Sequence, residues 1–234
     1  MVIQEIDLGL SDAETCRRLR LVAMSKTLKI PKKPAILILG APGVGKGTQG
    51  AILAQIPRFY HYSSGDVFRQ LDTRTDLGRK FVEYSKRGEL VPDELTIQLW
   101  ASHMNDLVTS HRYKPDIDIL LLDGIPRNQD QAKMLENYVE IHAVFHLSCP
   151  NRDELARRLR KRALKEQRLD DASEVVIQHR IRTYEDETKP ILDYYGEDLQ
   201  CDIDAMQSPA KVLYDILAKL QTLDAYQRID TQKI

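Results

Sequence analysis

The sequence has few of the features that mark secreted or membrane-bound proteins. Its three cysteines, Cys16, Cys149 and Cys201, are scattered and odd in number, which fits neither a disulfide framework nor a zinc ribbon. We expect reduced thiols, as in the cytoplasm. No apolar run approaches the roughly 18 residues that a membrane-spanning helix needs. Residues 1–7 are acidic and lack the basic and apolar stretches of a signal peptide.

An excess of charge of one sign is also missing. The chain has 34 Lys and Arg against 35 Asp and Glu, so no global field favours nucleic acid or a membrane surface as partner. The 234 residues, 42% of them hydrophobic and 29% charged, are enough for one globular domain with a sizeable core. Compactness favours a monomer.

A glycine-rich loop is the most informative stretch that is present. Gly40-Ala-Pro-Gly-Val-Gly-Lys-Gly-Thr-Gln49 follows an apolar run, residues 35–39, and precedes a segment that is typical of a helix, residues 48–55. Glycines let backbone amides converge on an anion, and the helix start adds free N–H groups. The lysine supplies a point charge for phosphates. This order predicts a phosphate-binding loop. Gly47 is unusual, because Ser or Thr normally follows the lysine directly.

Apolar, strand-like segments alternate with helical ones along the chain. We predict five strands, within 35–39, 59–65, 117–123, 143–148 and 199–204. The predicted helices between them include 94–108, with Asp93 as its cap, 129–139, and a long helix over 173–195 with a kink at Pro190. The alternation favours a parallel sheet covered by helices on both faces. Ligands then bind at the carboxyl ends of the strands, where the glycine loop and Asp123 both lie. The polar segments 62–92 and 162–172 are poorly patterned for a core and are candidate lids.

Residues 1–33 precede the first strand and form a predicted N-terminal helical extension. Ser11 and Glu14 have the spacing of a capping box. A surface helix packed on the core is one interpretation, and a partner-binding or regulatory arm is the other.

Five motifs together resemble one family. They are the glycine loop, Ser63-Ser-Gly-Asp-Val-Phe-Arg69, Leu90-Val-Pro-Asp-Glu94, Leu121-Leu-Asp-Gly-Ile-Pro-Arg127 and Arg168-Leu-Asp-Asp171. In this order they are similar to adenylate kinase and its nucleoside monophosphate kinase relatives, and the Gly47 variant belongs with that pattern. The likeness spans about residues 35–212. It implies a P-loop NTPase fold, a three-layer α/β/α domain over 34–234 with a five-stranded parallel sheet. It also implies a monophosphate-binding lobe, 62–92, and a short lid, 162–172.

The resemblance implies Mg²⁺-dependent, direct in-line transfer, ATP + AMP ⇌ 2 ADP, with ATP, AMP and ADP as the ligands. The charges agree with that reaction. Two nucleotides bring several negative charges together, and arginine binds phosphate oxygens bidentately while staying charged. The acceptor oxygen is already anionic, so positioning and charge stabilisation suffice. The cations expected to converge are Lys46, Arg69, Arg127, Arg162, Arg168 and Arg180.

The resemblance also assigns roles. Lys46, Arg127, Arg168 and Arg180 would be catalytic. The ATP site would contain Gly43, Val44, Gly45, Lys46, Gly47, Thr48, Arg162 and Gln207. The AMP site would contain Ser64, Arg69, Glu89, Leu90, Val91, Gly124, Ile125, Pro126, Arg127, Gln131, Arg168 and Arg180. Asp123 would orient Mg²⁺ through water. The segment after Pro150 is one residue longer than usual, so the register that places Arg162 stays open.

Two alternatives remain at this point. Residues 126–130 also resemble UMP/CMP kinases, whereas Gln131 and the hydroxyl of Ser64 favour AMP. A side-chain amide can flip to suit either base edge, so Gln131 alone does not decide. The other alternative is a P-loop regulator that binds nucleotide without transfer, which leaves the downstream arginines unexplained.

Overall fold

The computed structural model describes residues 32–166, 173–224 and 226–227. The expected N-terminal helix and the turn at 168–171 lie outside these ranges. The strands are β1 (Lys33–Gly40), β2 (Phe59–Ser63), β3 (Ile119–Asp123), β4 (Val139–Ser148) and β5 (Gln200–Asp204). The α-helices are α1 (Lys46–Leu53), α2 (Ser64–Arg69), α3 (Asp76–Arg87), α4 (Asp93–Thr109), α5 (Gln129–Leu135), α6 (Arg152–Glu166), α7 (Glu174–Thr183), α8 (Ile191–Tyr195) and α9 (Pro209–Leu220). A π-helical turn covers Tyr184–Thr188 and a short 3₁₀ helix covers Glu197–Leu199.

The five strands form one parallel sheet in the order β2-β3-β1-β4-β5. In the central strand Leu37 is paired with Leu122 of β3 on one side and with Val144 of β4 on the other. This arrangement confirms the predicted five-stranded α/β fold. It also places the ends of β1 and β3, where the glycine loop and Asp123 lie, at the same edge.

The core lies on both faces of the sheet. Ile36 and Ile38 of β1 pack into one apolar layer, and Leu37 and Leu39 pack into the other, because side chains alternate between faces along a strand. All four are buried, as expected for a parallel sheet that helices cover on both sides. Within the described ranges, no helix is long and apolar enough to cross a membrane.

Several element boundaries differ from the prediction. Helix α1 begins at Lys46, two residues earlier than expected, because Gly45 takes a left-handed φ of 112° directly before it. Helix α5 ends at Leu135, and Val139, expected to be helical, pairs with Lys33 as the first residue of β4. Strand pairing there overrides helical propensity.

The expected cap of α4 is also wrong. Pro92 occupies the N-cap position, and Asp93 is the first helical residue. The Asp93 carboxylate accepts hydrogen bonds from the side chains of Asn128 and Gln131 instead of capping the helix. Partners 35 and 38 residues away along the chain therefore take the carboxylate that the local pattern assigned to a cap.

The helix predicted over 173–195, with a kink at Pro190, is interrupted before that proline as well as at it. Helix α7 ends at Thr183, the π-helical turn follows, and Pro190 precedes α8. Proline lacks the N–H that a continuous helix needs. Within the π-helical turn, Thr188 donates from its hydroxyl to the carbonyl oxygen of Arg127 at 2.7 Å. The interruption thus ties this helical segment to the loop that follows β3.

Candidate functional site

A cavity of about 860 Å³ opens at the carboxyl edge of the sheet. The glycine loop after β1 forms its floor, and Asp123 and Gly124 at the end of β3 form one wall. Basic residues of α6 and α7 lie opposite. Ligands of open α/β sheets bind at this edge, so the cavity lies where the fold predicts a ligand-binding site.

The glycine loop has the backbone that its sequence predicts. Gly43 and Gly45 have φ angles of 83° and 112°, in the left-handed region that favours glycine. A Cβ atom on Gly43 would lie 3.0 Å from the carbonyl oxygen of Leu155. No side chain caps the start of α1, so its first amides are left for a ligand, as in other helix N-terminal anion sites.

Lys46 folds back over this loop. Its ammonium group donates to the carbonyl oxygens of Gly40 at 2.7 Å and Ala41 at 3.2 Å. Burial lowers the pKa of Lys46 from 10.5 to about 8, the charge of Asp123 raises it, and Arg127, Arg162 and Arg180 lower it further. These arginines come from three separate segments. All three line the same cavity as Lys46.

Gly124, which follows β3, is hydrogen-bonded to Ser64, which follows β2. Its carbonyl oxygen accepts from the Ser64 hydroxyl at 2.6 Å and from Nε of Arg127 at 2.8 Å. Ser64 is buried, and a Cβ atom on Gly124 would lie 2.7 Å from its Oγ. The hydroxyl of Ser64 therefore holds the start of α2 against the end of β3. Nearby, Arg69 pairs with Asp66 one helical turn earlier, at 2.5 Å.

Most of the predicted site residues line the cavity. They are Gly43, Val44, Gly45, Lys46, Gly47, Thr48, Arg69, Leu90, Asp123, Gly124, Pro126, Arg127, Arg162, Arg180 and Gln207. Ser64, Ile125 and Gln131 do not line it and are buried. Arg168 lies outside the described residues, so its expected role stays a prediction.

A smaller cavity of about 310 Å³ adjoins the first, and Leu90 and Thr183 line both. Glu89 and Val91, predicted for the AMP site, line the smaller cavity with Pro92, Asp93, Asn128 and Glu187. The predicted acceptor residues are therefore divided between two connected spaces.

Sequence reasoning missed several residues of the large cavity. Four basic ones lie on α6, Arg157, Arg158, Lys161 and Lys165, and three lie near the π-helical turn, Thr183, Tyr184 and Thr188. The signal for the α6 set is spacing, since residues 158, 161, 162 and 165 recur at helical intervals on one face. Arg158 donates to Glu154 at 2.7 Å and to the carbonyl oxygen of Ala205 at 3.0 Å.

Gln207 is held in place by the last residue of β5 and by the middle of α9. Its Nε2 donates to Asp215 at 2.9 Å and to the carbonyl oxygen of Asp204 at 3.0 Å. The side chain lines the cavity where the ATP site was predicted.

Asp123 is the best-placed carboxylate for a cation. Its Oδ2 lies 3.7 Å from Nε2 of His61 and would lie 3.6 Å from a Cβ atom on Gly47. In the described part of the chain, no group of three or more His, Cys, Asp and Glu side chains could hold a metal. One carboxylate beside a phosphate-binding loop fits Mg²⁺, which keeps several waters and takes further oxygens from phosphates.

The sheet is parallel, and a phosphate-binding loop lies at its carboxyl edge. Arginines from three segments line the same cavity as the lysine of that loop. These features together define a P-loop phosphotransferase. The adenylate kinase family model matches residues 38–200. The chain is 39% identical over 167 residues to an adenylate kinase of Bifidobacterium longum, covering 68% of this chain and 84% of the relative. It is 36% identical over 192 residues to that of Mycolicibacterium paratuberculosis, covering 79% and 98%. The chain therefore belongs to the adenylate kinase family, as the sequence motifs predict.

Proposed function

We propose that the large cavity holds ATP and the phosphate of AMP at the same time, with the phosphates of the two nucleotides facing each other at Lys46. The enzyme is a nucleoside monophosphate kinase that converts ATP and AMP into two ADP, a phosphotransferase with a phosphate group as acceptor. The observation that carries the two-nucleotide site is that Arg127, Arg162 and Arg180, from three separate segments, line one cavity together with Lys46. A single triphosphate on a P-loop does not require cations from so many segments.

The donor side consists of the glycine loop and the residues that face it. Backbone amides of residues 43–48 bind the ATP phosphates, and Lys46 follows the phosphoryl group that is transferred. Arg158 and Arg162 reach the cavity from α6, and Gln207 from the loop before α9. Lys46 then exchanges its hydrogen bonds to Gly40 and Ala41 for phosphate oxygens, which are stronger, charge-assisted partners.

The acceptor side lies between β3 and α2. Arg69 and Arg127 bind the AMP phosphate, and Arg180 lies between the two nucleotides and binds the group in transfer. Arg168 completes the set. Neither a general base nor a covalent intermediate is needed, because the acceptor oxygen is already anionic and the transition state is loose. The base of AMP occupies the smaller cavity, which residues 89–91 line, next to the buried amide of Gln131.

Asp123 would hold, through water, the Mg²⁺ that accompanies ATP, and the ion bound there would supply positive charge to the phosphates. Asp123 would supply the fixed carboxylate, and Gly47 at the start of α1 lies beside it.

Two segments close over the nucleotides. Residues 62–92 form a monophosphate-binding lobe and residues 162–172 a short lid, which exclude water and so suppress hydrolysis of ATP. Helix α3 supports this division, since Gly78 is its one buried residue. Gly88, which ends α3, would bring a Cβ atom within 3.0 Å of Cγ of Arg180. A movement of the lobe would therefore change the contact between Gly88 and Arg180, the arginine that we place between the two nucleotides.

The remaining proposals concern the surroundings. Cys149 and Cys201 are free thiols, which supports a reducing compartment such as the cytoplasm. The enzyme acts as a monomer, and residues 1–33 form an N-terminal extension.

Labelled transfer tests the proposal. With [γ-³²P]ATP and AMP, label is expected in the β-phosphate of ADP, with little free phosphate and no labelled protein. Arg127→Ala is expected to reduce that transfer at least about 100-fold, because one charged partner of the phosphate is lost. Label on the protein, or undiminished transfer by Arg127→Ala, would contradict the direct two-nucleotide site.

A further inference from the structure

Three polar side chains from two helices meet beside the smaller cavity. They are Asp93 at the start of α4, Asn128 just before α5, and Gln131 in its first turn, and we call them the amide cluster. Asp93 and Asn128 line the cavity. Gln131 is hydrogen-bonded to both of them and has 1% of its surface exposed.

Gln131 is held at both ends of its amide group. Its Nε2 donates to Oδ1 of Asp93 at 2.7 Å. Its Oε1 accepts from the backbone N–H of Arg127 at 2.9 Å. Each amide atom keeps one further hydrogen-bonding position, the second N–H and the second lone pair.

These partners fix which way the amide points. A carboxylate can only accept, and a backbone N–H can only donate. Turning the amide over would set oxygen against oxygen at Asp93 and N–H against N–H at Arg127. Both hydrogen bonds would be lost inside the protein, and the bond to Asp93 is the charge-assisted, stronger kind.

Asn128 strengthens the arrangement. Its Oδ1 accepts from the backbone N–H of Gln131 at 2.8 Å, so its Nδ2 must face Asp93, to which it donates at 2.9 Å and 3.0 Å. The carboxylate is therefore held from two sides. It cannot swing away from Gln131 without leaving Asn128.

We propose that Asp93 is a specificity-determining positioning residue, which locks the Gln131 amide so that the acceptor site accepts a 6-amino purine and rejects a 6-oxo purine. The inference rests on the proposed function, in which Gln131 meets the acceptor base. Adenine offers an N–H donor at position 6 and an acceptor at N1, whereas hypoxanthine offers an acceptor at position 6 and a donor at N1. A freely turning amide serves both edges, but a locked one serves one of them.

AMP and IMP are the matched probes, because they differ only at these two positions of the base. For the wild-type protein, kcat/KM with IMP is expected to be at least about 100-fold below that with AMP, since a mismatched pair leaves buried polar groups unpaired. In Asp93→Asn, the new amide can keep its oxygen toward Asn128 and turn its nitrogen toward Gln131. One of the two hydrogen bonds that keep the Gln131 amide from turning is then no longer selective. The ratio of kcat/KM with IMP to kcat/KM with AMP should therefore rise about tenfold.

The matched control is Glu94→Gln, which makes the same change of charge at the next, exposed residue of α4. Its IMP-to-AMP ratio should equal that of the wild type. Asp93→Ser, whose hydroxyl can donate or accept, provides a second variant, and thermal melting checks that both variants fold. Direct binding of AMP and IMP, followed by calorimetry, should show the same change of ratio without catalysis.

Two results would overturn the inference while leaving the proposed function intact. One is a wild-type protein that uses IMP within tenfold of AMP. The other is a folded Asp93→Asn protein that loses activity with AMP and IMP equally, which a merely structural role would produce. A wild-type protein that transfers phosphate to no monophosphate contradicts the proposed function itself.

Discussion

Lys46 donates a 2.7 Å hydrogen bond to the carbonyl oxygen of Gly40, six residues before it in the same loop. The ammonium group of Lys46 is thus hydrogen-bonded to its own phosphate-binding loop. Burial and three arginines lower its pKa to about 8. A charge held in this way weakens the fold and favours an anion, so stability and function oppose each other at one residue.

Lys46→Met should therefore raise stability while it removes activity. The folded pKa of about 8 lies below the ordinary value of 10.5, so the folded protein binds this proton more weakly than the unfolded chain does. At pH 7 the variant should gain about 1–2 kcal/mol, or roughly 2–8 °C in Tm. The wild type recovers this difference as pH rises from 8 to 10.5.

Thermal melts of both proteins at pH 7 and pH 10 measure the effect, and kcat should fall at least about 100-fold. Lys80→Met, an exposed lysine of α3, is the control and should change neither quantity. A Lys46→Met protein less stable than the wild type at pH 7 would show that the lysine is not destabilised by its surroundings.

Arg180→Ala tests the arginine that we propose lies between the two nucleotides. Its loss leaves the phosphates of the transition state one cation short, so kcat/KM should fall about 100-fold or more in a coupled assay of ADP formation. Arg182→Ala is the matched control, because Arg182 is exposed on the same helix and donates to Gln178 of its own turn. Equal losses in the two variants would mean that general charge, and not position, matters.

Asp123→Asn tests the metal site. The variant keeps the shape of the side chain but weakens the attraction for a cation, so the Mg²⁺ concentration for half-maximal transfer should rise at least about tenfold. Chelation should abolish transfer by the wild type. Binding of Mn²⁺ to the ATP complex, followed by electron paramagnetic resonance, reports the site without turnover. Asp130→Asn, an exposed carboxylate in α5, should leave that binding unchanged, and equal binding in both variants would place the cation elsewhere.

Gly78→Ala tests how α3 is anchored. Alanine normally stabilises a helix interior by up to about 1 kcal/mol over glycine. Here a Cβ atom would lie 2.1 Å from the backbone carbonyl oxygen of Asp72, so the opposite is expected, a loss of about 1–3 kcal/mol. Urea unfolding measures it, and Lys80→Ala on the same helix is the control. A stabilised Gly78→Ala protein would mean that the approach of residue 72 is not required.

Local features of the sequence were sufficient to predict the sheet and the glycine loop. Loop geometry depends on consecutive residues, and Gly43 and Gly45 have the positive φ angles that the motif needs. The boundary at Val139 was wrong because its partner, Lys33, is more than a hundred residues away. Propensity within a window cannot include such pairing.

The candidate site divides in the same way. Lys46 and Arg127 belong to compact motifs and line the cavity. Asp93 was interpreted as a helix cap, because nothing nearby in the sequence reveals that Gln131, 38 residues on, donates to it. Arg158 was overlooked among the neighbouring basic residues of α6, where only the folded helix shows which of them face the cavity.

The central claim is that ATP donates a phosphoryl group directly to an AMP molecule bound in the same site. Its most direct measurement is a panel of acceptors, AMP, UMP, CMP and GMP, each titrated with Mg-ATP under the same conditions. The structure predicts the highest kcat/KM with AMP, by at least about tenfold over each of the others. Faster turnover of UMP or CMP than of AMP would contradict the account. So would hydrolysis of ATP that continues unchanged, with no phosphoryl transfer, when any of the four monophosphates is added.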